Sequence, residues 1–212
     1  GARAMTVRVE FFFDLSSPWT RLAFANIRPA LDGLDYSIAW RPFLVGGVFN
    51  AVNPSVYESR KPENAARLAR SFGWLKQWAE LAGVGMNFPS EHHPLKSVIA
   101  MRFCCALEEE QEALERFAHA AFEAYFTHAR NLDDPAELVA GADAAGLDGA
   151  VLAERARSQP IKDRLRANTD EAIARGAFGS PTIIVPDPGG EEQLYFGNDQ
   201  LPLVRARVAA LA

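Results

Sequence analysis

The stretch that decides the fold is Phe11-Phe12-Phe13-Asp14-Leu15-Ser16-Ser17-Pro18-Trp19-Thr20. The run of apolar and β-prone residues from Val7 to Phe13 has the length and composition of a buried strand. A helical pattern starts after Ser17, a favoured N-cap residue, and Pro18 is favoured at the first helical position because it has no N–H to lose. The stretch therefore predicts a strand, a turn and a helix whose N-terminus carries a hydroxyl group and attracts anions.

Strand signals lie at the two ends of the chain, and the middle is helical. Strands are predicted at residues 7–13 and 36–41, and the helix between them implies parallel pairing. Residues 62–176 carry helical periodicity, while 181–185 and 193–196 predict a hairpin that a closing helix follows. The residues between the second strand and Pro62 are predicted to form a loop. This order is a βαβ unit, a helical block, and then a ββα unit.

The motif from Asp14 to Trp19 resembles the Asp-x-x-Ser-Pro-aromatic signature of 2-hydroxychromene-2-carboxylate isomerases and kappa-class glutathione transferases, a branch of the DsbA-like thioredoxin fold. The resemblance implies an α/β protein with a thioredoxin-like βαβ–ββα core and a large all-helical insertion. Residues 5–60 and 177–212 would form the thioredoxin-like domain, and 61–176 the helical insertion domain. In this branch a serine, here Ser17, replaces the active-site cysteine, and the reactive sulfur arrives with glutathione.

Ser17 is the candidate catalytic residue and a candidate glutathione ligand. The sequence gives it no His-Asp pair at motif spacing, and an unassisted hydroxyl is a poor nucleophile. We therefore predict that Ser17 donates a hydrogen bond to a thiolate. Together with the helix N-terminus, this bond would lower a thiol pKa from about 8.5 toward neutrality. The alternative is that Ser17 only caps the helix.

Two later motifs extend the resemblance, Gly176-Ala177-Phe178-Gly179-Ser180-Pro181-Thr182 and Phe196-Gly197-Asn198-Asp199-Gln200-Leu201. In the family, the residue before a cis-proline, here Ser180 before Pro181, pairs through its backbone with the cysteinyl part of glutathione. An ordinary trans proline at the head of a strand is the alternative.

In the second motif, the resemblance implies that Asn198 and Asp199 hold the γ-glutamyl end of glutathione. A helix cap is the alternative role for this pair. Gln200 stands where the family has arginine, so a guanidinium contact to the glutamyl carboxylate is lost.

The segment Pro42-Phe43-Leu44-Val45-Gly46-Gly47-Val48-Phe49 also resembles the isomerases. These enzymes continue to an asparagine and a basic residue that contact glutathione, and Asn53 and Arg67 are the nearest equivalents here. Lys61 competes with Arg67 for the basic role. Trp19 and Phe49 are predicted to line an apolar pocket for an aromatic substrate, with a place in the core as the alternative.

Charge and cysteine usage exclude several classes of function. The net charge of −5 argues against nucleic-acid binding, and no apolar run approaches the ~20 residues of a membrane span. The adjacent Cys104 and Cys105 cannot form a Cys-x-x-Cys site, so we expect small core residues in a protein of the reducing cytoplasm. His92 and His93 have no third ligand nearby, which predicts exposed loop histidines and no metal site.

The implied function is that of a glutathione-dependent isomerase acting on a small aromatic substrate of the 2-hydroxychromene-2-carboxylate type, as a homodimer. In that family the glutathione thiolate adds reversibly to the substrate, permits bond rotation or ring opening, and is expelled. A kappa-type glutathione transferase or peroxidase is the first alternative. A non-catalytic thiol- or peptide-binding module on the same fold is the second.

Overall fold

The computed structural model describes residues 6–52, 57 and 60–212, and these residues form four strands and nine α-helices. The strands are β1 (Val7–Phe13), β2 (Tyr36–Pro42), β3 (Thr182–Pro186) and β4 (Glu192–Phe196). The helices are α1 (Pro18–Ala30), α2 (Val45–Val52), α3 (Ala65–Ala82), α4 (Val98–Ala106), α5 (Gln111–Phe122), α6 (Pro135–Ala144), α7 (Gly149–Ala156), α8 (Gln159–Ala174) and α9 (Leu201–Leu211). Short 3-10 helices lie at Pro62–Asn64 and Asn198–Gln200, and a π-helical turn lies at Glu123–Thr127.

The strands form one mixed sheet in the order β2-β1-β3-β4. β1 and β2 are parallel, and β3 is antiparallel to both β1 and β4. The predicted parallel pair and the predicted hairpin are confirmed, and the pairing of β1 with β3 joins them into one sheet. Thr182 lies opposite Phe12 on one side and opposite Phe196 on the other. The end of β1, the start of β3 and the end of β4 therefore meet at one edge of the sheet.

The core is built around β1, whose phenylalanines are fully buried. On one face, the Phe11 ring meets the edge of Trp40 at a centroid distance of 5.1 Å. On the other face, Phe12 meets Phe43 at 6.0 Å. Because the second half of β1 is covered on both faces, its residues Phe11–Phe13 form a continuous apolar run, whereas Val7–Glu10 alternate apolar and charged residues.

Glu10 is the buried charged residue of this strand, in which Arg8 is charged and exposed. It is buried between the guanidinium groups of Arg41 and Arg175, and the Arg41 group lies 4.8 Å from the centre of the Phe12 ring. Arg175 also bonds Glu171 and Glu192, so the buried carboxylate belongs to a network of several ion pairs.

The structure corrects the prediction of a loop after the second strand, because α2 begins at Val45. The Val45 N–H donates to Oδ2 of Asp14 at 2.9 Å, so a buried carboxylate holds the start of the helix. The buried side chains of Val45 and Val48 pack in one cluster with Phe12 and Phe43. These partners lie far away in sequence, and local periodicity does not reveal them.

The helical block from Pro62 to Gly176 is otherwise as predicted, with shifted boundaries. The helix expected from Pro94 begins at Val98, after Ser97 in a left-handed conformation with φ 64°. Cys104 and Cys105 are buried core residues with free thiols, as predicted, and burial raises the pKa of both. Within the described residues, no helix has both the length and the apolarity required to cross a membrane.

Candidate functional site

The candidate site lies at the sheet edge where β1 ends and α1 begins. Ser17 is the N-cap of α1, and its Oγ accepts a hydrogen bond from the Thr20 N–H at 3.2 Å. The same hydroxyl donates to the carbonyl oxygen of Ser180 at 3.2 Å. The N–H of Trp19 has no hydrogen-bond partner within the described part of the chain. The helix start therefore offers a hydroxyl and one unpaired N–H to a ligand.

The Ser180–Pro181 peptide bond is cis, as predicted. The hydroxyl of Ser180 is buried, accepts from the Asp14 N–H at 3.0 Å and lies 2.6 Å from Oγ1 of Thr20. Ser180 thus joins the end of β1, the first turn of α1 and the start of β3. Its carbonyl is bonded to Ser17, on the cleft side of this junction.

Asp14 anchors three walls of the site although it contacts no solvent. Its Oδ1 accepts from the Ser16 N–H at 2.9 Å, and its Oδ2 accepts from the Val45 N–H at 2.9 Å and the Ser97 hydroxyl at 3.1 Å. Burial raises the pKa of the Asp14 carboxyl, and the hydrogen bonds from Ser16, Val45 and Ser97 oppose this shift. One carboxylate therefore fixes the active-site turn, the start of α2 and the loop before α4.

A cleft of about 670 Å³ opens in front of Ser17, within the size range of small-molecule sites. Trp19 and Phe49, the two aromatic residues predicted to line a pocket, both line it. Most of the remaining wall is apolar and consists of Pro18, Leu44, Val45, Leu68, Phe72, Phe88, Leu95 and Val98. The cleft therefore offers a largely apolar and partly aromatic surface to a ligand.

Three basic side chains line the same cleft: Arg60, His93 and Lys96. Burial and the positive charge of Arg60 lower the pKa of His93, so this ring is neutral near pH 7. His93 packs edge-on against Phe88 at a centroid distance of 4.7 Å, and both His92 and His93 are partly buried. The prediction of exposed histidines is therefore wrong, and the permanent cations of the cleft are Arg60 and Lys96.

Arg67, the basic residue that the sequence suggested as a glutathione ligand, does not line the cleft. Arg67 is exposed on α3, and neither Arg67 nor Lys61 is among the residues that line the cleft. Arg60 does line it, and its guanidinium lies 5.5 Å from the centre of the Tyr57 ring. Asn53 falls outside the described residues. The roles assigned to Asn53 and Arg67 stay predictions.

Asn198 and Asp199 follow β4 at the same sheet edge as Ser17. Asn198 is buried, and its Oδ1 accepts from Nδ2 of Asn26 on α1 at 2.9 Å. Asp199 is exposed, and neither side chain caps a helix, so the alternative role of this pair as a helix cap is wrong. Gln200 is the N-cap residue of α9, and its Oε1 accepts from the Phe196 N–H at 2.8 Å.

Sequence reasoning missed Asp14, Ser97, Lys96 and Arg60 as parts of the site. Asp14 gave a usable signal, because a carboxylate between an apolar strand and a Ser-Ser-Pro helix start stands at a sheet edge, where ligands bind. Lys96 and Ser97 gave none, since long-range contacts place them: Asp133 accepts from both of their N–H groups. No cluster of three His, Cys, Asp or Glu side chains that could hold a metal occurs among the described residues.

Comparisons with known proteins agree with this architecture. A sequence model of the DsbA-like thioredoxin domain matches residues 8–209, and the chain belongs to that family. It is 25% identical over 201 residues to glutathione S-transferase kappa 1 of Rattus norvegicus, which covers 92% of this chain and 88% of the relative. It is 27% identical over 203 residues to 2-hydroxychromene-2-carboxylate isomerase of Sphingobium xenophagum, a match that covers 95% of this chain and 98% of the relative.

A solved structure of a 2-hydroxychromene-2-carboxylate isomerase superposes with a TM-score of 0.77 at 21% identity, over 96% of this chain and 95% of the other. At that identity the likeness establishes a shared fold. The family and the fold predicted from the sequence are thereby confirmed.

Proposed function

We propose that this protein is a glutathione-dependent isomerase acting on an aromatic substrate of the 2-hydroxychromene-2-carboxylate type. The observation that carries the proposal is the helix start at the cleft, where the Ser17 hydroxyl and the unpaired Trp19 N–H face a ligand from the positive end of α1. Hydrogen-bond donors at this position favour a thiolate over a thiol. The kinship with an isomerase over nearly the whole chain supports the reaction class.

The residues at the sheet edge fit glutathione. When bound, glutathione supplies a thiol that adds reversibly to an unsaturated carbon of the substrate. The Ser180 carbonyl suits the cysteinyl N–H, and this exchange would release the Ser17 hydroxyl from Ser180 to donate to the sulfur. From the end of β1 to the Asn198–Gln200 turn, the edge spans two strand spacings, roughly 10 Å, which matches an extended tripeptide.

The cleft fits an aromatic carboxylate. Trp19, Phe49 and Phe88 provide apolar ring contacts that keep water away from the reacting atoms. Arg60 and Lys96 carry the positive charge that a substrate carboxylate requires, and the neutral His93 adds none. Orientation of the substrate between these groups and the helix start would supply most of the rate.

A kappa-type glutathione transferase is the second candidate, and the similarity to glutathione S-transferase kappa 1 supports it. The same helix start would activate the thiol in either reaction. The two candidates differ only in whether the sulfur leaves the substrate again.

Steady-state turnover with and without glutathione tests the proposal, with 2-hydroxychromene-2-carboxylate as one substrate and a chloronitroaromatic as the other. Ser17→Ala should lower kcat for the chromene by about 10²–10³, as loss of an oxyanion-hole donor does. Asp148→Ala is the matched control, because Asp148 caps α7 away from the cleft through the Val151 N–H at 3.1 Å. Each variant should lose about 1 kcal/mol of stability.

Three outcomes would contradict the proposal. Turnover that does not depend on glutathione would show that glutathione is not the cofactor. Equal activity of Ser17→Ala and Asp148→Ala would show that Ser17 has no role in catalysis. Turnover of the chloronitroaromatic alone would favour the transferase.

A further inference from the structure

A second cavity lies in the helical block, away from Ser17. It has a volume of about 350 Å³ and lies between α4, α6 and α7, with α8 at its rim. No residue lines both this cavity and the cleft in front of Ser17. Its wall is mostly apolar and is formed by Ile99, Phe103, Pro135, Val139, Ala153 and Ala156, with Ala136 beside them.

The polar residues of this cavity are all basic: Arg102, Arg157 and Lys162. The Nε of Arg102 is buried and has no hydrogen-bond partner within the described chain. Arg102 forms no ion pair with any described residue, so its positive charge is not neutralised within that part of the chain. Lys162 forms no ion pair with any described residue, and the exposed Arg157 lies 3.5 Å from Glu154. No carboxylate lines the cavity to neutralise these cations.

We propose that this cavity binds a medium-chain fatty carboxylate, with its alkyl chain among the apolar side chains and its head group on Arg102 and Lys162. The volume is about twice that of the ~150 Å³ cavity that holds a benzene ring, so it suits roughly a dozen non-hydrogen atoms. Decanoate has that size. The positive charges of Arg102 and Lys162, which no carboxylate of the wall neutralises, attract the carboxylate head group.

Titration calorimetry without glutathione tests the site, with decanoate and the uncharged decanol as probes. The wild-type chain should bind one decanoate, and decanol about tenfold more weakly, because only decanoate pairs with the cations. Arg102→Met should weaken the binding of decanoate about tenfold and leave the affinity for decanol unchanged. Ala153→Trp should abolish binding of both, since the indole fills the cavity.

Two control variants separate this site from the surface and from the cleft. Arg116→Met removes an exposed arginine elsewhere, and Lys96→Met removes a cation from the cleft near Ser17. Both should bind decanoate as the wild type does. Absence of heat with millimolar decanoate, equal affinity for decanoate and decanol, or loss of binding in Lys96→Met would each overturn the proposal. Should Ala153→Trp fail to fold by circular dichroism, Arg102→Met still tests the proposal, because Arg102 is only partly buried and methionine keeps an apolar chain in its place.

Discussion

The side-chain oxygens of Thr20 and Ser180 lie 2.6 Å apart in a buried hydrogen bond between the first turn of α1 and the residue before β3. Thr20 occupies the fourth position of Ser17-Pro18-Trp19-Thr20, where dithiol members of the fold carry their second cysteine. A fixed hydroxyl pair therefore stands in the place of a redox-active thiol. No thiol lines the cleft, so a reactive sulfur at this position would have to come from a ligand.

We predict that the protein has no dithiol oxidoreductase activity. Cys104 and Cys105 are the two cysteines of the chain, and both are buried. Burial and the neighbouring thiol raise the pKa of Cys104 well above its usual range, so neither a nucleophile nor a resolving thiol is available. Insulin reduction by dithiothreitol should proceed at the background rate. Faster reduction that disappears in Cys104→Ser or Cys105→Ser would contradict this.

The second prediction concerns Asp14. In the wild type, one carboxylate oxygen of Asp14 accepts from the Ser16 N–H and the other from the Val45 N–H. In Asp14→Asn, an NH₂ group replaces one of these oxygens and therefore faces one of the two N–H donors. A buried donor without an acceptor costs about 1–3 kcal/mol, so the free energy of unfolding should fall by that amount in urea. Turnover should fall as well, even where the variant stays folded, because three walls of the cleft lose a common anchor.

Asp32→Asn is the matched control for this variant, because Asp32 is exposed. Its free energy of unfolding should stay within about 0.5 kcal/mol of the wild type. If Asp14→Asn behaves like Asp32→Asn, the buried carboxylate is not an anchor of the site.

The order of the elements was accessible from sequence because it rests on neighbours in the chain. The apolar β1, the N-cap Ser17 and the turn before β4 each depend on a few adjacent residues. α2 was not accessible, because Gly46 and Gly47 make its sequence a poor helix former. It also depends on a long-range approach: a Cβ on Gly47 would lie 3.1 Å from Cγ2 of Thr169 on α8.

The basic side of the cleft shows why part of the site was missed. Leu68 lines the cleft from α3, and Arg67, one position earlier, is rotated by about 100° around the helix axis. A motif match selects Arg67 by its residue type, but the phase of the helix turns it to solvent. Arg60 lies in a turn before the helix, outside any periodic pattern, so no local signal in the sequence predicts that it lines the cleft.

The third prediction concerns stability and pH. Burial alone would raise the pKa of Glu10, but hydrogen bonds and charges from Arg175, with Arg41 nearby, outweigh it and lower the pKa below the ordinary 4.5. A lowered folded-state pKa stabilises the protein at pH values above 4.5, and this stability is lost as the pH falls through the folded-state pKa. Glu10→Gln should therefore lower the free energy of unfolding most near neutral pH.

We expect Glu10→Gln to lower the free energy of unfolding by about 2–3 kcal/mol near pH 7, at or below the low end of the range for a broken buried pair. The loss is moderated because Arg41 and Arg175 keep Glu171 as a partner. The gap to the wild type should narrow below about pH 4, as Glu10 takes up a proton. Glu80→Gln, on the exposed side of α3, should show no such pH-dependent gap.

The last prediction addresses Gln200, where related enzymes carry arginine. Its side chain bonds the Phe196 N–H, so replacing it loses that bond whatever the new residue is. Gln200→Ala is therefore the matched control for Gln200→Arg, and both should lose about 1 kcal/mol of stability. A guanidinium that meets the glutamyl carboxylate adds a charge-assisted bond, so Gln200→Arg should bind glutathione several-fold more tightly than Gln200→Ala in calorimetry.

The variant Asp199→Asn tests the other charged group of the glutamyl end, its ammonium. Because Asp199 is exposed, its pairing with the ammonium is screened, and Asp199→Asn should weaken glutathione only about fivefold, near 1 kcal/mol. Equal affinities of Gln200→Arg and Gln200→Ala, with Asp199→Asn unchanged, would mean that the turn at residues 198–200 does not hold the glutamyl end. If the wild type still bound glutathione in that case, the ligand would be held from Ser17 and Ser180 alone. Its glutamyl end would then have to lie elsewhere than at the end of β4.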